Sequence, residues 1–194
     1  YFSAKFCNAS EVFDICFSVS GLMVMSPLLL LLALLVRLSS RGPTLYWSDR
    51  VGRNNELFRM PKFRSMSIDT PVMATDLLSN PEQWLTPIGL LLRKTSLDEL
   101  PQLWSILVGH MSFVGPRPAL FNQDDLIRLR AEAGVDTLLP GLTGWAQVQG
   151  RDNLPLAEKV ELDIEYLKKR STTFDLYILC QTFWKVLSRN GVAH

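Results

Sequence analysis

An uncharged apolar segment near the start of the chain constrains the fold most. It runs from Ile15 to Val36, and its 22 residues include no Asp, Glu, Lys or Arg. At about 1.5 Å per residue, a helix of this length could cross the hydrocarbon core of a bilayer. The segment is too long for the apolar part of a signal peptide, and no small-residue cleavage site precedes Arg37. We therefore expect a membrane helix that remains in the mature protein.

Ser26-Pro27 lies near the middle of this segment. Proline removes one backbone hydrogen bond and its ring crowds the preceding turn, so the pair predicts a kink or a break. Lys5 precedes the segment and Arg37 and Arg41 follow it, so positive charge does not favour opposite sides of the membrane for the two flanks. Two topologies fit this pattern: a re-entrant hairpin with both flanks on one side, and a kinked helix that spans the bilayer.

Composition limits the class of protein. A chain of 194 residues forms about one core, so we expect a single functional unit. The formal net charge of +1 argues against a nucleic-acid-binding protein with a broad basic surface. The three cysteines are far apart and lack CxxC spacing, which favours a reducing, cytosol-facing location. The first residue is Tyr1 and not methionine, which is compatible with the C-terminal part of a longer protein.

The part of the chain after the apolar segment predicts an α-dominated α+β domain. Residues 44–51 and 57–66 read as two strands around a turn, which indicates a short β-hairpin. Apolar residues at helical spacing indicate amphipathic helices in a lipid interface, with ordinary core packing as the alternative. The predicted organisation is a membrane segment over 1–42 and a cytoplasmic domain over 43–194. Predicted helices cover 87–94, 98–108, 124–133, 155–169 and 174–188.

Two adjacent carboxylates, Asp98 and Glu99, carry the strongest chemical signal. Ser96 and Glu99 match a capping box, in which both acids would only satisfy backbone donors at a helix start. Pro101 weakens this interpretation, because a helix that began at Ser96 would have proline beyond its first turn. If the helix begins near Asp98, its dipole favours the ionised, nucleophilic form of that carboxyl, and the pair suits Mg²⁺. Glu99 could then act as a base.

Several cations could hold an anion beside these carboxylates. Lys62 and Arg64 flank Phe63 on the second predicted strand, so alternation would send both cations to one face. Arg117 lies between two prolines in a rigid loop, which suits two-point binding of phosphate by a guanidinium. Each cation alone is more often solvated or paired than functional. The turn-rich segment 140–148 fits a nucleotide-sugar loop and fits equally a structural turn that leads into a strand.

Five motifs, taken in order, resemble the bacterial sugar transferase family, which is the monotopic phosphoglycosyl transferase superfamily. The match covers nearly the whole chain. The resemblance implies a re-entrant helix broken at Ser26-Pro27, with both flanks on the cytoplasmic side of the bacterial inner membrane and the active site at that face. The motifs are Ser26-Pro27, Lys-Phe-Arg-Ser-Met (62–66), Ser-Leu-Asp-Glu-Leu-Pro-Gln (96–102), Met-Ser-Phe-Val-Gly-Pro-Arg-Pro (111–118) and Gly-Leu-Thr-Gly-Trp-Ala-Gln-Val (141–148).

The resemblance also implies a reaction and its cofactor. Asp98 would attack the β-phosphate of a UDP-sugar, release UMP and hold the phosphosugar until polyprenyl (undecaprenyl) phosphate accepts it. Mg²⁺ would assist at Asp98 and Glu99, with Glu99 as the partner of the nucleophile. This reaction would be the first membrane step in assembling a glycoconjugate. The cations that would contact phosphates or nucleotide are Lys62, Arg64, Arg93, Arg117 and Arg151.

Some features of this reading stay open at the level of sequence. Gly150-Arg151-Asp152 stands where some relatives have Gly-Arg-Asn, so the donor sugar is not specified. Expected partners are the UDP-sugar, the polyprenyl phosphate and membrane lipids, without nucleic acid, and a homo-oligomer is compatible with the sequence. One alternative is a catalytically inactive, membrane-anchored adaptor that recruits glycan-assembly enzymes. Another is a glycosyltransferase that moves the sugar without phosphate and releases nucleoside diphosphate.

Overall fold

A long N-terminal helix lies against a small α+β domain in the computed structural model, which describes residues 9–71, 80–150 and 154–187. Helix is the main secondary structure, and the strands are short, which confirms the predicted class. Within these ranges the helices are α1 (Ala9–Ser39), α2 (Gly89–Lys94), α3 (Leu103–Leu107), α4 (Asp124–Glu132), α5 (Trp145–Gln149), α6 (Leu156–Lys169) and α7 (Thr172–Leu187). The strands are β1 (Leu45–Val51), β2 (Leu57–Phe63), β3 (Ser112–Val114), β4 (Ala119–Leu120) and β5 (Gly141–Thr143).

Helix α1 continues through Pro27 without interruption. Proline has no N–H to donate to the carbonyl of Met23, four residues earlier. The hydroxyl of Ser26 donates to this carbonyl instead, at 2.8 Å, so the oxygen keeps a partner. The sequence predicted a kink or a break at this pair, and the structure has helix on both sides of it without a break. The path of α1 in a bilayer stays a prediction.

One side of α1 packs on the domain and the other side is apolar and exposed. Leu32 and Val36 are buried in a cluster with Phe63 of β2 and Leu92 of α2. By contrast, Leu30 is 72% exposed. Among the residues described, α1 is the one helix long and apolar enough to cross a membrane. These properties fit association with a membrane.

The predicted β-hairpin is present. Strands β1 and β2 are antiparallel and pair from Leu45 opposite Phe63 to Val51 opposite Leu57. Pro61 is tolerated within β2 because this strand lies at the edge of a sheet with the order β2-β1-β4. The hairpin positions Lys62 near the end of β2.

A second, parallel pair of strands was not predicted. Ser112 of β3 lies opposite Gly141 of β5, and Val114 lies opposite Thr143. The two backbones are very close at this point, since a Cβ added to Gly141 would lie 2.1 Å from the nitrogen of Gly115. The segment 140–148 thus forms β5 and most of α5, and its predicted role as a nucleotide-sugar loop stays a prediction.

The predicted helix over 98–108 differs in the structure. Residues Leu97–Gln102 form a 3₁₀ turn, and α3 begins only at Leu103. Pro101 has no N–H for an α-helical bond to Leu97, so the tighter turn replaces the first part of the α-helix. The remaining predicted helices correspond to α2, α4, α6 and α7 with small shifts at their ends.

The sequence left open whether the apolar residues of α7 pack in the core or are exposed, and α7 has residues of both kinds. Ile178 is fully buried in a cluster that includes Tyr166 of α6. Phe183 and Trp184 are largely exposed. One face of α7 therefore contributes to the core, and the aromatic face is available for an interface.

Candidate active site

The adjacent carboxylates lie on the 3₁₀ turn Leu97–Gln102, which packs along β2. The residue before this turn, Ser96, has a left-handed backbone with φ of 55° and makes no side-chain capping hydrogen bond. Its carbonyl accepts from the N–H of Glu99 at 3.2 Å. The capping box is therefore not formed, and the side chain of Glu99 turns to other partners.

Glu99 holds two cations on one oxygen. The Nζ of Lys62 lies 2.7 Å from Oε1 of Glu99, and NH2 of Arg117 lies 3.2 Å from the same atom. All three side chains are partly or largely shielded from solvent. The arrangement brings a cation from β2 and a cation from the loop after β3 to one carboxylate.

The two carboxyls have opposite electrostatic surroundings. Burial alone would raise the pKa of Glu99, but Lys62 and Arg117 outweigh it and hold the pKa well below its usual range. Asp98 is 8% exposed. Its burial raises the pKa to about 6, against the opposing charges of Lys62 and Arg93. Glu99 thus stays ionised, and Asp98 is the carboxyl that titrates near neutral pH.

This result differs from the expectation that a helix dipole would dominate at Asp98. The turn that carries Asp98 is a short 3₁₀ element and not the start of a long α-helix. Loss of solvation is therefore the larger effect, and it favours the protonated form. A carboxyl with a pKa of about 6 is still mainly ionised at pH 7.

The loop that carries Arg117 is fixed largely through backbone atoms. The N–H of Gly115 donates to Thr143 at 2.9 Å, and the N–H of Gly141 donates to Pro116 at 2.9 Å. The carbonyl of Arg117 itself accepts from NH1 of Arg130 at 2.8 Å. These bonds hold the backbone of Arg117 in place while its guanidinium reaches Glu99.

A buried ion pair supports this loop and was missed from the sequence. Arg130 of α4 donates from Nε and NH2 to Oδ2 of Asp163 of α6, at 2.9 and 2.6 Å. The sequence did contain a signal for this ion pair. Asp163 lies three residues from Val160 and three from Tyr166, on the apolar face of α6. A carboxylate on a buried helix face requires a partner.

The other predicted cations have different positions. Arg93 acts electrostatically on Asp98 and its NH1 lies 3.5 Å from the sulfur of Met66. Arg64 is 4% exposed and donates to the carbonyl and hydroxyl of Ser40, both at 2.8 Å. The predicted convergence of Arg64 with Lys62 is not observed, because β2 ends at Phe63 and the alternation stops there. Arg151 lies outside the described residues.

The site offers few protein ligands to a divalent cation. Within the described ranges, no group of three or more His, Cys, Asp or Glu side chains is arranged to hold a metal ion. Mg²⁺ commonly binds one or two carboxylates and completes its shell with water and substrate phosphates. Because two cations already contact Oε1 of Glu99, Asp98 is the main protein ligand that this site could offer to Mg²⁺.

Comparison with known proteins identifies the family of the chain. The sequence profile described as bacterial sugar transferase matches residues 6–189. The chain belongs to the bacterial sugar transferase family. The adjacent carboxylates and all five predicted cations, Arg151 included, lie within the matched region.

Three curated relatives of this bacterial sugar transferase have informative names. An undecaprenyl-phosphate glucose phosphotransferase of Komagataeibacter xylinus is 40% identical over 93% of this chain and 36% of its own length. A UDP-glucose:undecaprenyl-phosphate glucose-1-phosphate transferase of Escherichia coli is 38% identical over 89% of this chain and 39% of its own length. An undecaprenyl-phosphate galactose phosphotransferase of Salmonella typhimurium is 39% identical over 93% and 41%, respectively. The chain thus spans well under half the length of these relatives, and their names differ in the sugar.

Proposed function

We propose that this chain transfers a sugar 1-phosphate from a UDP-sugar to a polyprenyl phosphate of the undecaprenyl type. The observation that supports this most is the contrast between the two neighbouring carboxyls. Glu99 is ionised and bonded by Lys62 and Arg117, and Asp98 is buried beside it with a raised pKa. Neighbouring carboxyls with separated pKa values commonly have separate roles in catalysis. The names of the relatives supply the acceptor and the type of donor.

In the first step, a carboxylate oxygen of Asp98 attacks the phosphorus that carries the sugar. The bond from this phosphorus to the oxygen of the α-phosphate breaks, and UMP leaves with the electron pair. The phosphosugar is then joined to Asp98 as an acyl phosphate. No proton is gained or lost by Asp98, so the ionised form that predominates above its pKa of about 6 is the reactive one.

In the second step, a phosphate oxygen of the polyprenyl phosphate attacks the same phosphorus. The bond to Asp98 breaks, the carboxylate is regenerated, and the product is a polyprenyl-diphosphate-sugar. Both steps place additional negative charge beside Lys62, Arg93 and Arg117. These cations would lower the energy of the transition states for phosphoryl transfer.

Glu99 has a supporting role in this mechanism. Its depressed pKa makes it a weak base near neutral pH, whereas its bonds to Lys62 and Arg117 hold both cations in place. When bound, Mg²⁺ would neutralise charge on the diphosphate of the donor. Asp98 would provide its main protein ligand, with the phosphates and water completing the shell.

We also propose that α1 is monotopic, with both of its flanks on the cytoplasmic side. The buried residues of α1 lie on both sides of Pro27, with Asp14 and Ser18 before it and Leu32 and Val36 after it, whereas residues 23–27 are exposed. The 31 residues of α1 extend over about 46 Å, which exceeds the core of a bilayer of about 30 Å. Because one folded polar domain contacts both halves of α1, a path straight across the membrane would place part of that domain in lipid.

The reaction is tested by supplying UDP-sugars to the purified chain in the absence of acceptor. We expect about one equivalent of UMP to be released, and intact-mass spectrometry should show one phosphosugar on Asp98. Asp98→Asn should abolish both signals, whereas Asp125→Asn, at an exposed carboxyl of α4, should leave them unchanged. Adding polyprenyl phosphate should remove the adduct and restore turnover.

Other results would select the competing functions. Release of UDP would indicate a glycosyltransferase that moves the sugar without phosphate. Full transferase activity in Asp98→Asn would contradict the nucleophile. Complete inactivity of the wild type towards a panel of UDP-sugars would favour the adaptor.

The topology is tested by cysteine labelling in sealed inner-membrane vesicles after replacement of the native cysteines. Single cysteines at Glu11 and Arg41 should both react with a membrane-impermeant reagent applied from the cytoplasmic side. Labelling of the two positions from opposite sides would show that α1 spans the membrane.

A further inference from the structure

The C-terminal end of α1 is bonded to the residue that follows β2. Arg64 is 4% exposed and donates two hydrogen bonds of 2.8 Å to Ser40, which lies directly after α1. Arg37, in the last turn of α1, donates to the carbonyl of Gly42 at 3.0 Å. The chain therefore leaves α1 along a path that two guanidinium groups determine.

Gly42 is required for this contact. Its φ is +121°, a backbone conformation that other residues rarely adopt. A Cβ at this position would lie 2.0 Å from NH1 of Arg64. Glycine thus lets the backbone after α1 approach the buried guanidinium closely.

The N-terminal part of α1 is bonded to a different strand. Asp14 is 7% exposed, and its Oδ1 accepts from the N–H of Phe113 in β3 at 3.2 Å. About 26 residues separate Asp14 from Ser40, so the two contacts are about 39 Å apart along the helix direction. Both ends of α1 are therefore fixed to the domain.

These two contacts lie on the segments that supply the cations of the active site. Arg64 follows Lys62 by two residues, and Phe113 precedes Arg117 by four residues. Lys62 and Arg117 both contact Glu99. The position of the membrane helix and the position of the active site are thus joined through two short stretches of backbone.

We propose that Arg64 and Asp14 are positioning residues that fix the active site at a set height relative to the bilayer through α1. The inference rests on the proposed transferase function, because it concerns access of a lipid-borne phosphate to Asp98. A water-soluble donor can reach the site in any orientation of α1. A polyprenyl phosphate in a bilayer has its phosphate at the depth of the headgroups, so it reacts only when the site lies at that depth.

The test compares two acceptors in the full chain. The first is a long-chain polyprenyl phosphate in nanodiscs of zwitterionic phosphatidylcholine, and the second is farnesyl phosphate in detergent solution. We expect Arg64→Ala to raise KM for the long-chain acceptor by about tenfold, since small misplacements of reacting groups have effects of this order or larger. The rate of UMP release without acceptor and KM for farnesyl phosphate should change little.

Further variants separate positioning from a general loss of structure or of charge. Gly42→Ala should reproduce the selective effect, because the added Cβ displaces Arg64 from Ser40. Asp14→Ala should do the same, and Asp14→Asn, which keeps an oxygen for the N–H of Phe113, should resemble the wild type. Arg41→Ala is the matched control, since Arg41 is an exposed arginine at the same end of α1.

Two results would overturn the inference. One is an equal loss with both acceptors or a slower first half-reaction in Arg64→Ala and Gly42→Ala. The other is an equal rise in KM in Arg41→Ala, which would indicate surface charge as the cause. A wild-type chain that releases no UMP would overturn the proposed function and the inference with it, so the two failures are distinguishable.

Discussion

At the scale of single residues, the two carboxyls of the site are adjacent in sequence and differ in their surroundings. Glu99 satisfies its charge with Lys62 and Arg117, whereas the charge of Asp98 is held in a buried position. A buried carboxylate lowers the stability of the folded state whenever it is ionised. We therefore expect the ionised form of Asp98, which is the reactive form, to lower the stability of the folded chain.

This cost predicts the effect of Asp98→Asn on stability. The pKa of Asp98 is raised from 3.8 to about 6 on folding, so the folded chain binds this proton more tightly than the unfolded chain. The stabilising contribution of the proton is complete below pH 3.8 and is lost as the pH rises through about 6. The shift corresponds to about 3 kcal/mol at pH 8. Asp98→Asn should therefore raise the midpoint of thermal unfolding at pH 8 and have little effect near pH 4.

The measurement is thermal unfolding in detergent with EDTA, followed by circular dichroism. Mg²⁺ in place of EDTA should narrow the difference at pH 8, because a cation bound at Asp98 stabilises the wild type. A destabilised Asp98→Asn variant at pH 8 would contradict the raised pKa.

Single residues also show where the sequence was insufficient. Lys62 and Arg64 look equivalent on an alternating pattern, yet one bonds Glu99 and the other bonds Ser40. The difference depends on where β2 ends, and this end is set by the sheet and not by the local pattern. The carboxylates and Arg117 were identifiable because each lies in a motif with unusual neighbours.

At the scale of elements, α4 and α6 are joined by the buried pair of Arg130 and Asp163. The same arginine donates to the carbonyl of Arg117, so it connects the packing of two helices to the active-site loop. Removal of one partner leaves a buried charge alone, which commonly costs about 3–5 kcal/mol.

We predict that Arg130→Met destabilises the chain by that amount and lowers transferase activity. The double variant Arg130→Met/Asp163→Leu should recover much of the stability, because no lone charge remains. It should not recover the activity, because the carbonyl of Arg117 still lacks its donor. Arg128→Met, at an exposed position of α4, is the control for a change in charge, and chemical unfolding with an activity assay measures both effects.

Helix α1 permits a separate prediction at Ser26-Pro27. Ser26→Ala should destabilise the helix by about 1 kcal/mol, because the carbonyl of Met23 then has no donor. Addition of Pro27→Ala should restore stability, since alanine supplies the N–H that proline lacks. Ser20→Ala should be nearly neutral, because the carbonyl of Cys16 that it contacts also accepts the helical N–H of Ser20. Unfolding in mixed micelles measures the three variants, and equal effects of Ser26→Ala and Ser20→Ala would contradict the argument.

The elements differ in how far the sequence determined them. The β1-β2 hairpin followed from two local strand patterns around a turn, and the structure has it. The parallel pairing of β3 with β5 joins segments that are nearly 30 residues apart, and strands of three residues give little local signal. The predicted helix over 98–108 was wrong in its first part. Pro101 was taken only as evidence that the helix begins near Asp98, whereas the chain forms a 3₁₀ turn as far as Gln102.

At the scale of the whole molecule, α1 has an exposed apolar side and a side that contacts the domain. Leu30 and Leu32 are chemically identical and close in sequence, but their exposed fractions are 72% and 5%. A substitution at Leu32 therefore tests packing on the domain, and the same substitution at Leu30 tests binding to membranes.

We predict that Leu32→Lys prevents folding, because the charge would be buried against Phe63 and Leu92. Leu30→Lys should keep the unfolding midpoint in detergent and should weaken binding to membranes. A lysine in the centre of a membrane helix costs about 2.5–3.5 kcal/mol. Sedimentation with vesicles and thermal unfolding measure the two properties, and similar results for the two variants would contradict the assigned sides of α1.

The sequence predicted a membrane helix and identified the family, but it did not predict the way in which the domain covers α1. Apolarity is nearly uniform around this helix, so the pattern does not reveal which side is covered. The charged residue Asp14 marks the covered side, whereas the serines give no consistent signal, since Ser18 is buried and Ser20 and Ser26 are exposed. An ionisable residue beside an apolar run is the signal that a sequence can offer.

The covered side of α1 has a practical result for work in solution. A spanning protein acquires a ring of detergent around its middle, whereas this chain should acquire a cap over one flank. The centre of mass of the surfactant would then be displaced from that of the polypeptide, which contrast-matched neutron scattering can resolve. Flat bilayer discs should therefore accommodate the molecule better than a detergent belt, because they offer a surface on one side of the chain.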